Sequence, residues 1–409
     1  MLTELFPKAN KRFLCLPMVG PFTAAYEAWL LERGYAWGSR RQLIRALGRI
    51  DQYLQRHAGG LTRAALDACW HWARRRDAVV AAAVRSLTRC LELHGHLPGR
   101  VPPLPTPTEV CVAAYAAALR DWRGLAPKTI GHHRATAREF LTHLTYDHAP
   151  ACLATLTGQE VETFLRRAGA RLSRASLQHT VAELRSFLRF LATQGWAPPG
   201  LDGQIDTPRC YRQEQLPRGL PWATVRAFLA AIDRTSPLGL RDYTIFFLIA
   251  TYGLRASEIV TLTLDAIDWR TGVLHITPRK HSTPLTLPLT DAVGRVLVRY
   301  LRAGRPATTH RELFLRGRAP AGLLKPTAIT EAFQAWARRS GLGIPFQGAH
   351  CLRHAVAVHL LRQGVSLKAL GDLLGHRTAE STQAYLRLAV DDLRSVPLPV
   401  PTLGEEVAA

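Results

Sequence analysis

From Arg40 to Leu54 the apolar residues Leu43, Ile44, Leu47, Ile50 and Leu54 recur three and four apart, and Arg40, Arg41, Arg45 and Arg49 fall mostly on the other side. That period lets an α-helix turn one face to a core and the other to water. The pattern returns in APKTIGHHRATAREFLTHLTYDHA. There Ile130, Ala137, Phe140, Leu141 and Leu144 make the stripe, with His132, His133, Arg134 and Arg138 around it. Two helical bundles with basic exteriors are expected, opened by helical runs at Tyr26 and Tyr115. Their closing stretches, RSLTRCLELHG (Arg85–Gly95) and RSFLRFLATQG (Arg185–Gly195), share Arg, Ser, Arg, Leu and Gly at an offset of 100, and Pro98 then matches Pro198. This points to an internal repeat. The alternative is chance identity in a chain rich in Leu and Arg.

The pattern changes after Leu220. PWATVRAFLAAIDR and LRDYTIFFLIATYG read as helices. In GVLHITPRKHSTPLTLPL, Leu274 and Ile276 alternate with Val273, His275 and Thr277, and Leu285, Leu287 and Leu289 alternate on the way back, which predicts a β-hairpin. The remainder to Leu388 is helical in pattern. Pro-rich runs at His94–Pro107 and Trp196–Leu220 punctuate the chain as linkers. The expected layout is an additional N-terminal helical domain (1–100), a second helical domain (106–197), a linker (198–215), a mixed domain (216–395) and a flexible tail (396–409).

Charge narrows the partners. Lys and Arg total 53 against 31 Asp and Glu, a formal net charge of +22. Most of the bases are arginine, whose planar fork suits phosphate. Such an excess favours polyanions by releasing their counterions. An Arg-rich genome alone would raise arginine without so large an imbalance. The seven cysteines are odd in number and widely spaced, with no C-x-x-C, so neither a disulfide framework nor a zinc site is expected. No stretch approaches the ~18 apolar residues of a membrane span, and the N-terminus lacks a secretory pattern. A cytoplasmic protein with no membrane partner is expected.

The chemistry concentrates in AHCLRHAVAVHLLRQGVSLKALGDLLGHRTAESTQAYLRL, Ala349–Leu388. His350 and Arg353 share one helical face. Ser366 can cap a short helix with Leu367, Leu370, Leu373 and Leu374 inward, ending at Gly375 and His376. Tyr385 follows His376 by nine residues. No H-E-x-x-H occurs, carboxylates are scarce and Arg353 would repel a cation, so a metal site is a poor fit. An arginine, two histidines and a tyrosine suit a phosphodiester instead. Guanidinium forks stabilise the charge of a pentacoordinate phosphorus, and a phenol needs a base and a positive field to attack. A second contribution lies in ATYGLRASEIVTL, where Glu258 can clamp Arg255. Singly, each residue has a plainer reading as a surface ion pair, a helix-end histidine or a packed ring. His354 and His359 are expected to be structural, and Tyr252 to pack near Arg255.

The G-L-R-x-S-E of Gly253–Glu258, the H-x-L-R-H of His350–His354, and L-G-H followed by Tyr385 together resemble the tyrosine recombinase (phage integrase) family. The likeness runs over about Leu216–Leu388, and Thr106–Ala197 resembles the family's core-binding domain. It implies a multidomain, mainly α fold: two N-terminal helical (SAM-like) DNA-binding bundles and a mixed α/β catalytic domain with a small antiparallel sheet. It implies a site-specific recombinase, integrase or transposase-like enzyme working on double-stranded DNA through a 3′-phosphotyrosine, with no metal, ATP or other cofactor. Arg255 and Arg353 would grip the phosphate, His350 would assist proton transfer, and His376 would bond the phosphate or support the nucleophile. Lys280 would protonate the leaving 5′ oxygen, and Tyr385 would attack, with Glu258 supporting Arg255. Lys280 is placed by counting back from Pro288. The family's hairpin often reads Gly-Lys-Gly, whereas this chain has Pro278-Arg279-Lys280-His281. Arg279 competes for the place, although a guanidinium rarely gives up a proton. The working form implied is a homo-tetramer, or a mixed assembly with sister recombinases, on bacterial nucleoid DNA. The three-part layout looks like transposon-borne members. The alternatives are a type IB topoisomerase-like relaxing enzyme and a DNA-binding recombinase subunit without its own cleavage activity.

Overall fold

The computed structural model describes residues 2–98, 104–209, 219–277, 284–320, 322–345, 348–376 and 378–386. Lys280 and its competitor Arg279 lie outside these, as does the tail 396–409. Contacts group the chain into two units, Met1–Gly99 with Leu216–Ala409, and Arg100–Gln215. Residues 2–97, 111–205 and 220–355 nevertheless build three separate hydrophobic cores.

The first core is all helical: α1 (Leu2–Leu5), α2 (Asn10–Leu14), α3 (Gly20–Glu32), α4 (Trp37–His57), α5 (Arg63–Ala73) and α6 (Ala78–Leu93). Leu43, Ile44, Leu47, Ile50 and Leu54 are all buried, so the stripe read along α4 is the packed face. Arg40, expected on the polar side, is a correction. It is buried and pairs with the equally buried Glu27 of α3 at 2.6 Å. A buried guanidinium is tolerable only with such a partner. Asp51, also buried, accepts hydrogen bonds from the Met18 and Val19 amides at 2.7 and 2.9 Å and ties the start of α3 to α4.

The second core is built by α7 (Pro107–Asp121), α8 (Pro127–His143), α9 (Gly158–Gly169) and α10 (Arg174–Thr193). Capping boxes at Thr106/Glu109 and Thr157/Glu160 fix the starts of α7 and α9. Several local devices recur in both bundles. A buried tyrosine of the opening long helix meets a serine of the closing one: Tyr26 with Ser86 at 2.6 Å, and Tyr115 with Ser186. Both closing helices end on a left-handed glycine, Gly95 at φ 73° and Gly195 at φ 69°. The amide just beyond bonds back to a leucine carbonyl, His96 to Leu91 at 2.8 Å and Trp196 to Leu191 at 2.9 Å.

The third core carries α11 (Trp222–Ala230), α12 (Pro237–Tyr252), α13 (Ala256–Ile259), β1 (Ile267–Asp268), β2 (Val273–Ile276), β3 (Leu285–Pro288), α14 (Asp291–Ala303), α15 (Pro326–Ser340), α16 (His350–Arg362), α17 (Leu367–Leu374) and α18 (Ala379–Gln383). The expected hairpin is present, with Leu274 opposite Leu287 and Ile276 opposite Leu285. Leu274, Ile276 and Leu287 are buried, as alternation requires. The two-residue β1 adds a third antiparallel strand that the pattern did not announce. Ser366 caps α17 by accepting from the Ala369 amide at 3.2 Å, and Gly375 ends it in the left-handed region. Among the described residues no helix is long and apolar enough to cross a membrane.

Candidate active site

The site forms where α12, α16 and α17 meet. Gly253 ends α12 at φ 66°, and a Cβ there would sit 2.5 Å from Leu374 Cδ2 and 3.4 Å from Val356 Cγ1. Only a glycine admits this approach, and it turns the chain so that Arg255 follows. Glu258 then holds Arg255 twice, accepting from its Nη1 at 2.7 Å and its backbone amide at 2.8 Å. The clamp read from the sequence is therefore present, with Glu258 itself buried.

Arg353 sits on the first turns of α16 and is 2% exposed. It donates to the Gly253 carbonyl and, at 2.6 Å, to the Leu374 carbonyl. Arg255 Nη2 reaches the next carbonyl, Gly375, at 3.4 Å. Both guanidinium groups thus converge on the C-terminus of α17, where carbonyls and helix dipole favour cations. Burial, and after it the Arg255 charge, lower the Arg353 pKa to about 10, which leaves it protonated at neutral pH.

The other candidates gather around this pair. Tyr385 is 3% exposed, packed against Ala357, Leu370 and Leu374. Burial raises its pKa, opposed by hydrogen bonding to Arg353 and by the Arg353 and Arg255 charges. His376 follows Gly375, its ring stacked on Tyr385 at 6.0 Å between centroids and its Nδ1 2.9 Å from Thr382 Oγ1. Burial and then the charges of Arg353 and Arg255 push its pKa down to about 4, so it is neutral at pH 7. His350 opens α16 at the surface, and desolvation with the same two cations lowers its pKa. Tyr252 is buried and donates to the Pro288 carbonyl at 2.5 Å. His359 stacks on Trp222 at 4.1 Å, away from this group.

One contact of His354 was not anticipated from the sequence. His354 Nδ1 lies 3.2 Å from the Tyr385 hydroxyl, and its ring meets that of His350 edge-on at 4.4 Å. His350 and His354 are one helical turn apart on the same side. That i, i+4 spacing was the available signal, but it does not say which ring meets the tyrosine. Among the described residues no group of three or more His, Cys, Asp or Glu could hold a metal ion.

Comparison with known proteins bears on the family and fold of the chain. Residues 220–391 match the phage integrase family, and residues 112–195 match the phage integrase N-terminal SAM-like domain. An integrase/recombinase of Sinorhizobium fredii (strain NBRC 101917 / NGR234), y4rA, is 31% identical over 95% of this chain and 97% of its own. Tyrosine recombinase XerD of Xanthomonas campestris pv. campestris (strain ATCC 33913 / DSM 3586 / NCPPB 528 / LMG 568 / P 25) is 31% identical over 73% of this chain and 93% of its own. Among solved structures, XerH site-specific recombinase bound to palindromic difH substrate in a post-cleavage complex shares the fold. Its TM-score is 0.54 at 16% identity, over 70% of this chain and 84% of that one. The chain belongs to the tyrosine recombinase (phage integrase) family.

Proposed function

We propose that this chain cuts and rejoins double-stranded DNA at specific sites through a 3′-phosphotyrosine at Tyr385, exchanging strands between two duplexes. The observation that carries the reading is the convergence of Arg255 and Arg353 on the carbonyls at the end of α17, with the stacked rings of His376 and Tyr385 beside them. In this reading a scissile phosphate takes over the guanidinium donors now spent on the Leu374 and Gly375 carbonyls. Two fixed cations neutralise the charge that builds on its non-bridging oxygens. His376, neutral at working pH, hydrogen-bonds one of those oxygens, and His350 assists proton transfer at the mouth of the site. Lys280 protonates the leaving 5′ oxygen. The bond energy stays in the tyrosyl ester, so a 5′ hydroxyl from a partner strand reverses the step without ATP or metal.

In this reading helical DNA-gripping modules accompany a catalytic domain. Residues 106–197 act as the core-binding domain and 216–395 as the catalytic one. Residues 2–98 share the tyrosine–serine contact and glycine terminus of the second bundle. We read them as a second copy that adds DNA contacts. The assembly on DNA is a tetramer, of this chain alone or with sister recombinases, acting on the bacterial nucleoid as part of a mobile element. The recombinase names of the full-length relatives favour strand exchange over simple relaxation.

Two differently labelled duplexes carrying the target site, mixed with the protein, test this. Recombinant joints are expected. Relaxation of supercoils without joints would indicate a relaxing enzyme, and binding without either product a silent subunit.

A further inference from the structure

The phenol of Tyr385 has two polar neighbours of opposite kinds. Arg353 lies close enough to bear on the Tyr385 hydroxyl, and a guanidinium can only donate to it. The one ring nitrogen within hydrogen-bond distance of that hydroxyl among the described residues is His354 Nδ1, 3.2 Å away. His350 and His354 are one turn apart on α16, and their rings meet edge-on at 4.4 Å. His376 is turned to Thr382 through its own Nδ1. Around the imidazole of His354 stand His350 on the same helix and Tyr385 beyond α18, with Arg353 as its sequence neighbour.

We propose that His354 is the catalytic base that takes the proton of Tyr385 as the tyrosine attacks DNA. The assignment rests on the strand-cleavage reading above. The Oη–H bond breaks and the proton passes to Nδ1 of a His354 carrying its own hydrogen on Nε2. The Oη–P bond forms as the bond from phosphorus to the 5′ oxygen breaks, and that oxygen takes a separate proton from the general acid, Lys280 in the reading above. On rejoining, the incoming 5′ hydroxyl gives its proton to the now neutral general acid, its oxygen displaces the tyrosine from phosphorus, and His354 returns its proton to Oη. A base so placed also explains how a phenol whose pKa burial raises can act at neutral pH.

Single-turnover cleavage of a nicked suicide duplex tests this on the full chain, with His354→Ala and His354→Gln. Glutamine can accept the hydroxyl's hydrogen bond but cannot take its proton. Both variants should bind DNA as wild type does and cleave slower by roughly 10²- to 10⁴-fold, the usual contribution of a positioned base. Added imidazoles should restore His354→Ala in proportion to their basicity. If His354→Gln cleaves within a few-fold of wild type, or His354→Ala is equally fast or faster, or rescue ignores basicity, the assignment is wrong. Should His354→Ala fail to fold, His354→Gln decides alone. A wild-type chain that never cleaves would overturn the strand-cleavage reading itself; a cleaving wild type with an equally active glutamine variant overturns only the base.

Discussion

Arg255 and Arg353 donate to consecutive carbonyls, Gly375 and Leu374, at distances of 3.4 and 2.6 Å. One helix end therefore sets the spacing of two cations that the chain contributes from separate segments. They differ in depth. Arg353 is almost fully buried, whereas the Arg255 side chain is 38% exposed and paired with Glu258.

That difference separates their variants. Arg353→Ala leaves the buried Gly253 and Leu374 carbonyls without these donors, at a cost of about 1–3 kcal/mol each. Arg255→Ala removes a partly exposed pair worth about 1 kcal/mol or less. Both should abolish covalent capture of DNA, but only Arg353→Ala should lower the melting temperature by many degrees in a thermal scan. Equal melting temperatures would show that Arg353 does not brace the site.

Gly253→Ala should damage the site without touching a reacting group. The left-handed backbone costs an alanine about 1–2 kcal/mol, and the new Cβ strikes Leu374. Since Leu374 supplies a carbonyl to Arg353, cleavage should fall at least tenfold while DNA affinity holds. Single-turnover cleavage and a binding titration read the two separately.

Acidity should act through His376. Its folded pKa of about 4 lies below the ordinary imidazole value of 6.5. The unfolded chain then takes up the proton first, and stability is lost as pH falls from about 6.5 towards 4. His350 and His359 are lowered as well and act in the same sense. His376→Gln should flatten part of that decline. Denaturant midpoints of wild type and variant, compared at pH 7.5, 6, 5 and 4, should show wild type losing more than the variant as pH falls if His376 contributes, and a constant gap if it does not.

The first bundle offers an independent check of its buried ion pair. Glu27→Ala strands the Arg40 guanidinium among apolar side chains, which typically costs roughly 3–5 kcal/mol. Calorimetry should show a destabilised transition, and Glu27→Ala with Arg40→Met should recover much of it.

The helical stripes and the hairpin were legible because burial leaves a period in the sequence: Leu43, Leu47, Ile50 and Leu54, and then Leu274, Ile276 and Leu287, sit inside as their spacing required. Arg40 was not, because a charge becomes burial-competent only through Glu27, a partner on another helix. The two-residue β1 carries no period at all. Within the site, the Arg255–Glu258 clamp is local and could be read three residues apart. The meeting of His354 with Tyr385, 31 residues on, depends on how α17 and α18 fold back, which no local pattern encodes. Lys280 lies outside the described residues, and its role stays a proposal drawn from resemblance.

The most direct measurement is the site of attachment. After reaction with a nicked suicide duplex, the protein is digested and the DNA-bearing peptide is identified by mass spectrometry. The nucleotide should be found on Tyr385, joined through a 3′ phosphate, and should disappear in Tyr385→Phe while binding persists. Attachment to another tyrosine such as Tyr252, or a 5′ linkage, would contradict the site described above.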